Sequence, residues 1–299
     1  MVTIGILAGG GRLPLMIAES ASQRGAAVHI VGIEGEADPA IARFPHTWVN
    51  WGQIGRMVRA LATGGGRQMV IAGRATRPDL KRIRPDAGFF RNLPFIVRLL
   101  AGGDDAVLKR VVRFFEGHGF EVLGVHEVSP DLLAGRGRMG VVGLSAANRA
   151  DAEIGFAVRR ALGAVDAGQA VAVAGGKVLA IEGAEGTDAM LQRVAALPVR
   201  GALRLPAGVL TKGPKPGQEL RVDMPVIGPD TIKQAAAAGL AGVAVASGAV
   251  LILDRTDAIR SADAHGCALE GLADDTPMAS GTLPGAPDLL MGRVIGRRR

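Results

Sequence analysis

The sequence predicts an α/β protein: an N-terminal Rossmann-like parallel-sheet domain followed by a mixed α+β C-terminal domain. Three observations predict it. The chain opens as strand, glycine turn, helix, strand, which is the opening of a parallel sheet. That alternation runs to residue 132 and then gives way to short strands with a hairpin signal. Finally, 299 residues, 48% of them hydrophobic, are enough for two cores of ordinary domain size.

The elements follow in order. Thr3 to Ala8 is an apolar run that reads as the first strand, and Gly9-Gly10-Gly11 is the turn after it. Leu13 to Arg24 has helical spacing through Leu13, Ile17 and Ala21. Val28 to Ile33 is a strand, Ile54 to Ala62 a helix, and Met69 to Ala72 a strand ended by Gly73. Ala106 to Gly117 is a helix and Phe120 to Val125 the strand that completes the first domain, residues 1–132. The glycine-arginine stretch Gly135 to Gly140 marks a linker over 133–145.

The second domain spans 146–271. Ala150 to Gly163 is a helix, and Gln169 to Val173 with Val178 to Ile181 forms a hairpin around Gly175-Gly176. Thr187 to Ala196 is a helix with Thr187 or Asp188 as its N-cap. Short strands are expected at Gly208 to Lys212 and Val226 to Ile227, then a helix over Ile232 to Ala238 and two strands up to Asp254. From Leu272 the chain turns polar and rich in Pro and Gly, so 272–299 reads as a loosely ordered tail. The uncharged stretch Ala235 to Leu253 imitates a membrane span. Its Ala-rich composition and its glycines at 239, 242 and 248 make it a helix end and two strands instead.

Composition narrows the function. A single cysteine, Cys267, excludes an intrachain disulfide and a cysteine-based zinc site. The N-terminus lacks the basic region of a signal peptide, and a cytoplasmic location is expected. The net charge of +7 points to nucleic acid, an anionic membrane surface or a phosphorylated ligand. With no Tyr and only two Trp, stacking platforms are scarce, so nucleic acid is set aside. The basic excess is spread along the chain, with one local exception over Arg74 to Arg98. The apolar stretch Gly88 to Ala101 follows there, as core, acyl-chain groove or membrane contact; the basic approach Lys81 to Arg84 favours lipid.

Several segments carry chemistry. Gly9 to Gly11 precedes a helix, so Gly10 and Gly11 are candidate contacts for an anionic ligand, with a plain tight turn as the alternative. Pro14 stands where the dinucleotide fingerprint needs glycine, which counts against a nicotinamide-dependent oxidoreductase. Gly102-Gly103-Asp104-Asp105 suits either a cation or helix capping. Glu182, Glu185 and Asp188 crowd one turn, a candidate metal or sugar site. The densest chemistry is Thr211 to Asp230, an irregular loop fixed by prolines. It carries Thr211, Lys212, Lys215, Gln218, Arg221, Asp223 and Asp230, a set suited to a phosphorylated substrate, with a surface loop of unconnected charges as the alternative. The five histidines are scattered without metal-ligand spacing.

In chain order, GILAGGGRLP, AGRATRP, GGDDAVLKRVV, Gly119-Phe120-Glu121-Val122, His126-Glu127-Val128, EGTDAML and RVDMPVIGPDTI resemble the UDP-2,3-diacylglucosamine pyrophosphatases of the LpxI type. The resemblance covers residues 3 to 271. It implies a two-domain, Mg²⁺-dependent hydrolase of lipid A biosynthesis that releases UMP and 2,3-diacylglucosamine 1-phosphate (lipid X). Water would attack the phosphorus nearer the sugar. Arg221-Val222-Asp223-Met224-Pro225 matches the family's Arg-x-Asp-x-Pro context, so the resemblance makes Asp223 the essential aspartate, catalytic and metal-holding. Thr187, Asp188, Thr211, Lys212, Lys215 and Gln218 are read as substrate-binding from their own chemistry. The partners implied are a lipid-linked nucleotide sugar and the inner-membrane surface, with monomer and homodimer both open. A non-catalytic lipid-binding protein stands as the alternative.

Overall fold

In the computed structural model the described residues are 2–75, 79–99, 104–163, 167–197 and 205–274. The first domain is built on a five-stranded sheet of order β3-β2-β1-β4-β5. Its strands are β1 (Thr3–Ala8), β2 (Ala27–Ile33), β3 (His46–Val49), β4 (Gln68–Ala72) and β5 (Glu121–Val122), and every neighbouring pair is parallel. Parallel strands need crossovers, and the helices that supply them cover both faces. One face packs α1 (Leu13–Gln23), with Ile6, Ile17 and Ile30 at its centre. The other packs α2 (Ile54–Gly65) and α5 (Asp104–Gly117), with Val31, Leu61, Met69 and Phe115 between them. Two short helices, α3 (Ala87–Arg91) and α4 (Leu93–Leu99), precede α5.

The strand expected over Phe120 to Val125 is cut to two residues. Glu127 turns its carboxylate onto the Gly124 N–H at 2.6 Å, starting a one-turn helix, α6 (Val125–Val128), where pairing would have continued. Gly137–Arg138 is a strand, β6, paired antiparallel to β13 (Ala268–Leu272), so the basic glycine stretch belongs to the second sheet.

That second sheet has the order β6-β13-β11-β9-β7-β8. Its parallel centre is β9 (Val209–Lys212), β11 (Gly242–Ala246) and β13. The predicted hairpin, β7 (Ala170–Ala174) and β8 (Lys177–Ile181), adds antiparallel on the β9 side. The helices are α7 (Ala146–Leu162), α8 (Gly186–Ala195), α9 (Pro229–Ala237) and α10 (Arg255–Ala264). The core strands are fully buried Val, Ala and Leu, as a sheet covered on both faces requires. Among the described residues no helix is long and apolar enough to cross a membrane.

A separate parallel pair, β10 (Val226–Ile227) and β12 (Leu251–Ile252), lies where the domains meet. Leu251 and Met224 belong to the core of the first domain although both come from the second half of the chain. Arg12, before α1, donates to Asp254 at 2.7 Å across the same boundary. Asp254 holds φ at 46°, a conformation non-glycine residues adopt rarely.

The 272–299 tail is only partly described. Leu272 completes β13, and Asp274 closes an ion-pair cluster with Arg159 and Arg160 of α7; 275–299 lie outside the described residues.

Candidate active site

The site grows from the ends of β8 and β9 and from the proline-fixed loop after β9. Side chains alternate along a strand, so neighbouring Thr211 and Lys212 face opposite ways. Thr211 faces α7: its hydroxyl donates to the Val171 carbonyl at 3.0 Å, and it fills the space left by Gly155. It is fully buried. The expectation that Thr211 contacts substrate is therefore corrected: its hydroxyl is a packing group.

Lys212 faces the other way, toward the start of α8. Its ammonium donates to Thr187 Oγ1 at 2.8 Å, and the Thr187 hydroxyl donates to Glu182 Oε1 at 2.6 Å. Glu182 Oε2 accepts the Gln169 backbone N–H at 2.6 Å. All three side chains are nearly buried, with Lys212 only 8% exposed. Burial pushes the Lys212 pKa below its ordinary value, and the negative charges of Glu182, Asp188 and Asp223 partly oppose it. The structure thus brings Thr187, Asp188, Lys212 and Asp223 into one electrostatic neighbourhood.

Thr187 and Asp188 do not cap α8 as the sequence suggested; Glu185 holds the N-cap position and pairs with Arg193. Glu182 is spent on Thr187 and Gln169. The three acids of that turn therefore do not converge on a cation, and among the described residues no three His, Cys, Asp or Glu side chains gather as metal ligands.

The loop between β9 and β10 carries the rest. The Lys215 N–H donates to Gln218 Oε1 at 2.7 Å. The Gln218 amide donates to the Asp223 carbonyl at 2.6 Å and to its carboxylate Oδ2 at 2.5 Å. The Asp223 carboxylate is thus oriented by a residue of its own loop.

The first domain clamps this loop on both sides. Val222 packs into the core under α2 and α5, while Met224 enters the core under α1. Lys109 of α5 donates to the Gly217 carbonyl at 2.9 Å. Arg221 joins Glu116 of α5 at 2.8 Å and holds Glu219 at 2.8 Å. These bonds to Glu219 and Glu116 raise the Arg221 pKa, and the same pairing lowers that of Glu219. Asp223, between Val222 and Met224, therefore sits on a segment whose two flanks are anchored in the other domain.

Beside this loop is a buried cationic cluster that the sequence did not disclose. Arg159, fully buried on α7, and its neighbour Arg160 both hold Asp274. Desolvation lowers the Arg159 pKa, and Asp274 opposes that. Gly213 lies against the Arg159 guanidinium, and Gly163 at the end of α7 abuts Pro216. The cluster buttresses the loop from behind.

The glycine turn is reassigned. Gly9 N–H is bonded to Ala72 and Gly10 N–H to Arg74, at 2.9 and 2.6 Å. A side chain on Gly9 would lie 2.4 Å from the Arg74 carbonyl oxygen. These two glycines let β1 and β4 close at their ends, so Gly10 has no N–H to offer a phosphate. Gly11, at φ 88°, has open space around it and lines a cleft of about 610 Å³ with Glu34, Glu36, Asp38 and Trp48. Glu34 is paired with Arg84 and Asp38 accepts the Ala40 N–H at 2.8 Å; their remaining oxygens and the indole suit hydroxyl groups and a planar ring rather than phosphate. Gly102 and Gly103 lie outside the described residues.

Comparison with known proteins gives the same two-part division. Residues 3–132 match the family model described as the LpxI N-terminal domain, and residues 135–270 match the LpxI C-terminal domain. The chain is 42% identical over 274 residues to the UDP-2,3-diacylglucosamine pyrophosphatase LpxI of Caulobacter vibrioides. That match covers 91% of this chain and 98% of the relative.

Proposed function

Because the chain belongs to the LpxI family across both of its domains, we propose that it hydrolyses the pyrophosphate bond of UDP-2,3-diacylglucosamine in lipid A biosynthesis. The observation that carries the site assignment is the Asp223 carboxylate, oriented by Gln218 on a loop anchored in the first domain, with its negative charge acting on the buried Lys212. In this reading a water oxygen adds to the phosphorus nearer the sugar. The bond from that phosphorus to the bridging oxygen breaks, UMP leaves with the bridging oxygen, and 2,3-diacylglucosamine 1-phosphate keeps the oxygen of water.

The chain's own groups have separable roles. Asp223, held by Gln218, orients the reacting end. Lys212, kept in place by Thr187, acts from beneath the site as a fixed positive charge whose field favours the negative charge that develops on the phosphate oxygens. Lys215, on the loop turn that Gln218 closes, adds a second cation, and Asp188 helps hold Lys212 charged. Gly11 and its cleft offer a place for the nucleoside.

The donor set does not make an all-protein cage for Mg²⁺. It fits the commoner arrangement in which one carboxylate shares the ion with substrate phosphates, and Asp223 would hold it. Bound there, the ion supplies Lewis-acid neutralisation of the phosphoryl oxygens. The test is UMP release from UDP-2,3-diacylglucosamine in ¹⁸O-labelled water, with Mg²⁺ or EDTA. Label in the sugar phosphate and loss of turnover in EDTA are expected. Label in UMP would refute the attack position, and undiminished turnover in EDTA would refute the metal.

A further inference from the structure

We propose that the outer face of α3 and α4 is a docking surface for an anionic lipid bilayer. The two short helices form one nearly continuous helical run: Asn92 joins them, its N–H bonded to the Gly88 carbonyl at 3.1 Å and its side-chain amide to the same oxygen at 2.8 Å. Along that run Phe90, Leu93 and Val97 stand at spacings of three and four, on one side of the helix. They are 63%, 43% and 57% exposed.

This exposure does not come from a loosely held segment. The opposite side is fixed: Phe95 stacks on Phe114 of α5 with ring centroids 4.5 Å apart. Asp86 accepts the N–H groups of Phe89, Gly55 and Arg56, tying the start of α3 to the start of α2. Gly88 packs so closely on Gly55 that no side chain would fit between them. The protein therefore builds a rigid platform and leaves three large apolar side chains outside it.

The occupant follows from the charges around those side chains. Lys81, Arg82, Arg84, Arg91 and Arg98 are exposed on the same segment; Arg82 pairs with Asp79, Arg84 pairs with Glu34 and Asp86 is taken up in capping, which leaves Lys81, Arg91 and Arg98 as the excess positive charge. An apolar stripe bordered by cations is the signature of a helix lying in the interface of an anionic membrane. A second copy of this chain would bring the same positive charge against it. The proposal deepens the lipid-substrate reading, because a diacylated substrate resides in such a membrane, but the surface itself stands on exposure and charge.

The test is vesicle co-sedimentation of the full chain without substrate. Vesicles are phosphatidylcholine alone, or with a third of the lipid replaced by phosphatidylglycerol. The variants are Phe90→Ser/Leu93→Ser/Val97→Ser and Lys81→Glu/Arg82→Glu, with thermal melting to confirm folding and turnover of a detergent-dispersed substrate measured separately. The wild type is expected to bind the anionic vesicles at least about tenfold better than the neutral ones. Each basic residue near such a surface contributes about fivefold. The apolar variant should lose at least about tenfold, and the charge variant more. High salt, about 0.5 M, should weaken wild-type binding through screening. Equal binding to both vesicle types, or unchanged binding by both variants, overturns the proposal. So does a wild-type dimer that the apolar variant splits, because the face would then be a subunit interface. Vesicle binding with no turnover would keep the surface and sink the hydrolase reading instead.

Discussion

Replacing Thr187 by Val tests the link between the fold of the second domain and its chemistry. Valine keeps the shape of threonine and removes the hydroxyl, which accepts from Lys212 at 2.8 Å and donates to Glu182 at 2.6 Å. Both partners are nearly buried, so water cannot easily replace the lost bonds. Hydrogen bonds to charged groups contribute about 1.5–3 kcal/mol each, and leaving a buried polar atom unpaired costs a similar amount. The two bonds share one oxygen, so their loss does not add fully, and a net destabilisation of about 2–3 kcal/mol is expected. For a chain of this size that is roughly 3–5 °C in Tm. Releasing the ammonium from its fixed position should lower kcat about 10- to 100-fold, since each 1.36 kcal/mol of barrier is about tenfold. Thr187→Ser, which restores the hydroxyl, should recover most of both losses. Thermal melting and steady-state turnover read the two effects independently. A valine variant with unchanged Tm and kcat would refute the relay, and a serine variant no better than valine would assign the effect to packing.

Four further outcomes follow from the same geometry. The rate should fall on the alkaline side at a pH below 10.5, the ordinary lysine value, because burial lowers the Lys212 pKa; Glu182→Gln should move that limb lower still, and a limb unmoved in a full pH–rate profile would contradict it. The stability sign is consistent: between the folded and unfolded pKa values of Lys212 the unfolded chain binds more protons, so this group's burial penalty fades as pH rises through that window. Asp274→Ala leaves Arg159 and Arg160 without their counter-charge and should cost about 3–5 kcal/mol in denaturant unfolding, whereas Arg159→Met/Arg160→Met/Asp274→Leu should restore much of it. Gly9→Ala, which meets the Arg74 carbonyl, should cost about 1–3 kcal/mol and more than Gly11→Ala, which meets open space and carries only the left-handed backbone strain; the reverse order in melting would undo the reassignment of the turn. Cys267 is buried and its pKa is pushed up to about 11, so the native protein should resist iodoacetamide at pH 8 while the unfolded protein reacts, as mass spectrometry would record.

Local pattern made the first domain legible. β1, α1, β2, α2 and β4 follow from apolar runs and helical spacing that each segment carries by itself, and the parallel order then follows from the crossovers. Short or polar elements were not legible. β3, His46–Val49, has one fully buried residue, and α10, Arg255–Ala264, is so polar that no apolar stripe announces it. At the site, Lys215, Gln218 and Asp223 lie within nine residues and could be grouped by eye. Glu182 and Lys212 are thirty residues apart, and only the adjacency of β8, α8 and β9 joins them. The anchoring of Val222 and Met224 in the other domain leaves no sequence signal beyond two ordinary apolar residues. Thr211 and Gly10 stand apart from the site for one reason: a polar group in a promising loop looks available until its hydrogen-bond partner is known. The Val171 carbonyl and the Arg74 backbone take those two groups.

The central claim is that the Asp223 carboxylate orients the reacting end of a pyrophosphatase site. It is tested most directly by single-turnover UMP release from UDP-2,3-diacylglucosamine by wild type and Asp223→Asn, with Mg²⁺ titrated for each. Asparagine keeps the size and the backbone carbonyl that Gln218 holds, and removes the charge. The account predicts a rate at least about 100-fold lower in the variant, equivalent to about 2.7 kcal/mol, with substrate binding largely retained. A variant that releases UMP at the wild-type rate would contradict it.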